Sequence, residues 1–244
     1  MRPTTLMETS EVDWAEASGA SDRPARKESL LEVCVFLSLI VPSMALSFFV
    51  TRQGKVDFVF VAVSTILRDF ALVCLILFFA WRNGEPMSML GWRYRNFGRD
   101  VLLGLALYLP LVYVIGWLEW LLEAAGLSQP SVPRPSFFNI QGRWEVALAV
   151  VLVVVVAVSE ETIFRGYLIL RLRVVTRSAA AAVVLSSAVF ALGHGYEGSL
   201  GVVTIGAMGL LFSLVYLWRK SLVAPIVLHY LQDFIAIVVV HYLQ

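Results

Sequence analysis

Two neighbouring acids, Glu160 and Glu161, end an apolar run, and Arg165 follows one helical turn later. The run, residues 146–158, contains no charged side chain. Ionisable side chains at membrane depth are costly and mark functional sites. Glu161 and Arg165 are i and i+4 on a helix, so they share a face and can form an ion pair. Glu160 points about 100° away and is left as the reactive carboxylate, which can act as a general base.

Two of the three histidines also lie in apolar segments, at His194 and His229. Phe190 precedes His194 by one helical turn, so its ring can pack against the imidazole. His229 and Asp233 are i and i+4, and a carboxyl group beside an imidazole can fix its tautomer or share its proton. One such histidine is typical of a helix core. Two histidines, a glutamate pair and a further acid together indicate a functional site.

These residues lie on long apolar segments. The chain is 59% hydrophobic and 15% charged, whereas soluble domains are about 45–50% apolar and about 25% charged. Helices of about 20 apolar residues span the hydrocarbon of a membrane. The sequence therefore predicts an all-α protein, a polytopic transmembrane bundle of about seven helices with an intramembrane polar cavity. The predicted segments are 30–50, 58–81, 100–123, 144–170, 178–194, 199–218 and 221–243, the fifth being the shortest.

The domain prediction is a disordered cytoplasmic tail over residues 1–29 and a helical bundle over residues 30–244. Orientation follows from basic residues, which collect on the cytoplasmic side of membrane proteins. If the amino terminus is cytoplasmic, thirteen Lys and Arg lie inside and four outside. The inside set is Arg2, Arg23, Arg26, Lys27, Arg82, Arg93, Arg95, Arg99, Arg171, Arg173, Arg177, Arg219 and Lys220, and the outside set is Arg52, Lys55, Arg134 and Arg143.

Charge and cysteine usage exclude several classes of function. The net charge of +1 gives no field that would attract nucleic acid. Cys34 and Cys74 are the two cysteines, and they form no Cys-x-x-Cys pair, which argues against a disulfide or thiol-metal framework. We expect both thiols to be buried and structural.

The three polar motifs together resemble the CPBP family of intramembrane peptidases. This family includes the CAAX prenyl endopeptidases and bacterial abortive-infection and bacteriocin-immunity proteins. Its pattern is E-E-x-x-x-R, then F-x-x-x-H, then H-x-x-x-N or D. The matching stretches here are 160–165, 190–194 and 229–233. The resemblance covers roughly residues 85–235, and three motifs in this order, each in an apolar helix, are specific.

The resemblance implies a role for each matching position. Glu160 matches the base that activates water, and His194 matches the histidine that helps to hold that water. His229 and the residue at 233 match a pair that stabilises the oxyanion, with Glu161 and Arg165 as the supporting pair. Position 233 is Asp here, where many members have Asn. An ionised Asp cannot donate a hydrogen bond to an oxyanion, so Asp233 either is protonated or orients His229.

A metal is an open alternative. The chain lacks a His-Glu-x-x-His zinc signature. Glu160, His194 and His229 could still ligate zinc and leave one position open. The resemblance does not decide between a zinc mechanism and a glutamate-and-histidine mechanism without a tightly held metal.

The sequence thus predicts an intramembrane endopeptidase that acts, within membrane lipid, on a peptide or lipidated-protein substrate. We expect an integral multi-pass protein of a bacterial inner membrane. The first alternative is a non-catalytic immunity or scaffold protein of the same family. The second is an ion-coupled carrier, against which the missing internal repeat counts.

Overall fold

The described part of the chain is built from helices. The computed structural model describes residues 26–50, 57–127 and 140–243, and no strand occurs among them. Short 3-10 turns occur at Met87–Leu90 and Gly195–Glu197. The helices are α1 (Arg26–Val50), α2 (Phe58–Arg82), α3 (Phe97–Ala124), α4 (Gly142–Thr176), α5 (Ala179–Leu192), α6 (Gly198–Arg219) and α7, a continuous helix made of Val223–Asp233, Phe234–Val239 and Val240–Leu243.

Six of these helices are long and apolar enough to cross a membrane, and α5, with 14 residues, is the exception. The predicted polytopic helical bundle is therefore confirmed, and so is the shortness of the fifth apolar segment. Helix α1 begins at Arg26, inside the predicted tail of residues 1–29. The rest of that tail, and residues 128–139 of the α3–α4 linker, lie outside the described residues.

The helices expose large apolar side chains on their outer surfaces. Trp81 and Tyr113 are each 77% exposed, and Phe60 is 69% exposed. Helices that are apolar on every side belong in a core or in lipid. No other described helix packs on these outer faces, so their composition suits contact with lipid.

Small residues allow close contacts between helices. A Cβ atom on Gly104 of α3 would come within 2.9 Å of the carbonyl oxygen of Ala224 in α7. One on Gly209 of α6 would lie 3.2 Å from the side chain of Ser187 in α5. These glycines allow α3 to pack closely against α7, and α6 against α5.

Helix α4 changes its winding where the polar motif begins. Gly142–Glu160 is α-helical, Glu161–Leu168 is π-helical, and Ile169–Thr176 returns to α-helix. Every residue of the π segment is buried. Helix α7 changes in the same way, from α-helix to a π segment at Phe234–Val239, immediately after Asp233. Isolated π segments are frequent at functional sites, and here both start next to a predicted site acid.

A buried ionic cluster joins α1, the α2–α3 connection and α4 at one end of the bundle. Arg171 contacts Glu32 at 2.7 Å and Glu85 at 2.6 Å, and all three side chains are at most 4% exposed. The hydroxyl of Tyr167 lies 3.3 Å from Glu32. Because a buried cation needs such partners, this cluster ties the start of α1 to the end of α4.

The two cysteines differ from the prediction. Cys34 on α1 and Cys74 on α2 are free thiols, but both are exposed rather than buried. A thiol is small and weakly polar, so it sits as readily on a lipid-facing surface as in a core.

Candidate active site

A cavity of about 540 Å³ lies between the helices. Its wall is mostly apolar, and all seven helices contribute to it, together with the turn after α5. Five predicted site residues line this one cavity: Glu160, Phe190, His194, His229 and Asp233. Residues that are far apart in the chain are thus brought together around a shared space, as the sequence predicted.

His229 is held from both sides of its ring. Its Nδ1 lies 2.9 Å from Oε1 of Glu161, and its Nε2 lies 3.4 Å from Oδ2 of Asp233. The Glu161 oxygen also accepts from Arg165, so it acts as the acceptor for His229 and Nδ1 carries the proton. Nε2 is then the nitrogen that faces the cavity acids, including Glu160 Oε2 at 3.8 Å.

Arg165 and Glu161 form the ion pair predicted from their spacing. Nη1 of Arg165 lies 2.8 Å from Glu161, and the two side chains are 1% and 0% exposed. The Arg165 guanidinium also stacks 4.4 Å from the ring centre of Phe190 and donates to the carbonyl of Gly209 at 3.4 Å. Because the guanidinium compensates its charge, Glu161 can stay buried behind His229 as a fixed acceptor.

Phe190 packs against both histidines. Its ring centre lies 5.0 Å from that of His194 and 5.9 Å from that of His229. The predicted contact with His194 is therefore present, and a second contact with His229 is added. Together with the stacked Arg165, these contacts give both imidazoles a common rigid support.

The turn that carries His194 is fixed by α1. Nδ1 of His194 lies 3.1 Å from the carbonyl oxygen of Phe190, which can only accept, so Nδ1 carries a proton and Nε2 is left for other partners. The next residue, Gly195, donates its backbone N–H to the hydroxyl of Ser47 at 3.1 Å. A Cβ atom on Gly195 would overlap the ring of Phe48, so α1 packs directly on this turn.

Several polar residues line the cavity without having been assigned to the site. Arg68 and Asp69, adjacent residues on α2, form an ion pair, with Nη2 of Arg68 2.9 Å from Oδ1 of Asp69. Their position in the middle of an apolar segment was the signal that could have assigned them to the site. Asp69 is 1% exposed, and Arg68 is the one Lys or Arg among the described lining residues. Three further polar residues that line the cavity are Glu119, Tyr196 and Glu197.

The donors predicted for zinc do not form a metal centre in this arrangement. Within residues 26–50, 57–127 and 140–243, no group of three or more His, Cys, Asp or Glu side chains is arranged to hold a metal ion. His229 directs one nitrogen to Glu161 and the other toward Asp233. Glu160, His194 and His229 share the cavity, yet they do not converge on one point as ligands of a single ion must.

Comparison with known proteins identifies a family that one segment of the chain matches. Residues 142–235 match the family described as type II CAAX prenyl endopeptidase, Rce1-like. The search of curated proteins and the search of solved structures gave no match. The resemblance drawn from the three motifs is thus confirmed for the segment that carries them, although the match begins at residue 142 rather than near residue 85. The family is one of proteases.

Proposed function

We propose that the protein is an intramembrane endopeptidase that hydrolyses a peptide bond of a membrane-associated substrate. The observation that carries this proposal is the 3.8 Å separation of the Glu160 carboxylate and Nε2 of His229 at a mostly apolar cavity. Hydrolysis of an amide needs a base for water and a donor for the oxyanion. Two such groups this close can act on one carbonyl group, the carboxylate on the attacking water and the imidazole on the carbonyl oxygen.

Glu160 is the proposed base. Its Oε2 is buried and has no hydrogen-bond partner among the described residues, and its side chain is 13% exposed. Glu161, its neighbour, is occupied by Arg165 and His229. Glu160 is therefore the member of the pair that can accept a proton from water. His194, anchored through Nδ1, presents Nε2 as an acceptor that orients the same water.

His229 is the proposed oxyanion donor. In its doubly protonated form the ring donates from Nδ1 to Glu161 and from Nε2 into the cavity. The neighbouring carboxylates of Glu160 and Asp233 stabilise that cation until the substrate oxygen takes their place. The geometry favours Asp233 as the residue that orients His229, because its carboxylate faces Nε2 from the next helical turn.

The test uses purified protein in lipid and a panel of quenched fluorescent peptides. Glu160→Gln keeps the shape of the side chain but removes the base, and we expect the rate to fall by about 10²–10⁴. Glu145→Gln is the matched control, because Glu145 belongs to the same helix but does not line the cavity. We also expect His229→Gln to be inactive.

Cleavage by Glu160→Gln at the wild-type rate, with the thermal unfolding temperature unchanged, would refute the proposal. A wild-type protein that cuts no peptide in the panel, but whose cellular phenotype survives Glu160→Gln, would instead support the non-catalytic scaffold.

A further inference from the structure

One ion pair in the cavity wall has no part in the proposed reaction. Arg68, paired with Asp69, comes ten residues after Phe58 and fourteen before Arg82, the two ends of α2. At the helical rise it lies about 15 Å from one end and about 21 Å from the other. Ionisable residues at such depth mark the path of a substrate or an ion. Because a buried ion pair is often no more stabilising than apolar side chains, packing alone does not account for this one.

Asp69 holds the Arg68 guanidinium by one edge. Nε and Nη2 of Arg68 both lie 2.9 Å from Oδ1 of Asp69. The Asp69 side chain is 1% exposed, whereas that of Arg68 is 42% exposed. Among the described residues, no second acid forms an ion pair with Arg68. A guanidinium presents five N–H donors in a rigid planar fork, so the edge between Nη1 and Nη2 is left for a second anion.

The other charged groups of the cavity wall are mostly acidic. Five acids of the described chain line the cavity, and Arg68 is the one Lys or Arg there. An anionic group of a substrate is therefore repelled by carboxylates elsewhere in the cavity and attracted at Arg68, which favours one orientation of a bound peptide. The five acids are Asp69, Glu119, Glu160, Glu197 and Asp233.

We propose that Arg68 is a specificity-determining residue that binds a carboxylate of the peptide substrate, and that Asp69 positions it. Arginine and a carboxylate form two parallel hydrogen bonds in a fixed geometry, which suits a group that must hold a peptide while Glu160 acts on it. Both residues lie outside residues 142–235, so this site belongs to a part of the chain that the family match does not cover. The inference rests on the proposed endopeptidase for the reaction, but binding can be measured without cleavage.

Two sources of the carboxylate share this chemistry. One is the α-carboxylate at the end of a peptide, and the other is an Asp or Glu side chain near the scissile bond. A lipid phosphate is a poor fit, because headgroups lie outside a hydrocarbon layer of about 30 Å and Arg68 lies near the middle of its helix.

Binding is measured with Glu160→Gln protein in lipid nanodiscs, which should bind peptides without cutting them. The probes are the fluorescent peptides of the panel, made in two matched pairs. The first pair differs only in a free or an amidated carboxyl terminus, and the second only in Glu or Gln at one internal position. We expect the charged member of at least one pair to bind about tenfold more tightly, a ratio that one hydrogen bond between charged groups can supply. The pair that shows the difference identifies the source.

Arg68→Gln combined with Asp69→Asn removes the ion pair without leaving a buried carboxylate unpaired. We expect this double variant to lose the preference for the charged peptide. With Glu160 intact, its KM for that peptide should rise about tenfold at nearly unchanged kcat, because binding that is equal in the ground and transition states changes KM alone. Arg82→Gln is the matched control and should keep the preference, since Arg82 pairs with Glu32 on the same helix but does not line the cavity.

Equal affinities within both peptide pairs, or no binding of any peptide, would overturn the inference. So would a preference that persists in the double variant at an unchanged unfolding temperature. If the double variant does not fold, Arg68→Lys replaces it, because lysine keeps a cation beside Asp69 but lacks the planar fork. An undiminished preference in that variant would also overturn the inference. A preference without cleavage by the wild-type protein would refute the endopeptidase and leave the carboxylate site standing.

Discussion

Nδ1 of His229 lies 2.9 Å from Oε1 of Glu161, so a hydrogen bond joins residues 68 positions apart and fixes the imidazole of α7 to the start of the π segment in α4. The same oxygen accepts from Arg165 at 2.8 Å. Glu161 therefore holds a histidine and an arginine at once. Its neighbour Glu160 faces the cavity. The two adjacent glutamates therefore have the same chemistry but different surroundings: Glu161 is engaged by two side chains, and Glu160 lines the cavity.

This division predicts opposite effects for the same substitution. Glu161→Gln leaves Arg165 buried without its anion, which costs about 3–5 kcal/mol of unfolding free energy, so the unfolding temperature in lipid should fall sharply. Glu160→Gln should leave that temperature unchanged while activity is lost. Equal unfolding temperatures for the two variants, measured by the same thermal melt, would contradict the assignment.

Phe190 should support catalysis through the contacts of its aromatic ring rather than through its volume. Phe190→Leu keeps an apolar side chain but removes the stacking on Arg165 and the contacts with both histidines, which are worth about 0.5–1.5 kcal/mol beyond area. We expect kcat to fall about tenfold with little change in KM. Phe70→Leu is the control, since Phe70 is 65% exposed on the outside of α2. Equal kcat values for both variants would argue against a shared support.

Asp233→Asn should keep most of the activity. An Asn oxygen can accept from His229 as the carboxylate does, and its amide can also donate to an oxyanion. Asp233→Leu should lower kcat strongly, because neither function survives. The comparison of kcat for the two variants is the measurement. An Asn variant as inactive as the Leu variant would show that the negative charge itself is required.

Ser47→Ala should lower kcat indirectly, through the turn that carries His194. The backbone N–H of Gly195 would lose its acceptor, which costs about 1–3 kcal/mol for a buried group, and the turn that carries His194 would loosen. We expect a several-fold lower kcat that Ser47→Thr restores. Ser38→Ala on the same helix is the control, because the Ser38 hydroxyl bonds only within α1, to Val35. A lower unfolding temperature with unchanged kcat would show a purely structural role.

Removal of metal ions should leave cleavage intact. The acid and histidine donors of the described chain do not converge on one point. We therefore expect full activity after dialysis against EDTA or 1,10-phenanthroline. A loss that added zinc reverses would show that Glu160, His194 and His229 rearrange into a metal site.

Local spacing was enough to predict part of this site. The pair Glu161 and Arg165 and the contact of Phe190 with His194 both follow from one turn of helix, and both are present. The apolar segments likewise predicted the helices, because length and composition alone determine which segments can span a membrane.

The sequence could not predict the contacts between helices. His229 was paired with Asp233 alone, because Glu161 comes near it only through the packing of α4 against α7. The π segments have no composition that distinguishes them from α-helix. Arg68 and Asp69 form a local ion pair on α2, and only the arrangement of α2 around the cavity shows that they line the same space as Glu160.

The hydrogen bond of the Ser47 hydroxyl determines which part of the chain the site needs. Helix α1 lies outside residues 142–235, the segment shared with the family, yet it holds the turn next to His194. The proposed site is therefore not confined to the matched segment: a transplant of residues 142–235 into another membrane scaffold would carry Glu160, His194 and His229 but leave behind the helix that holds the turn beside His194.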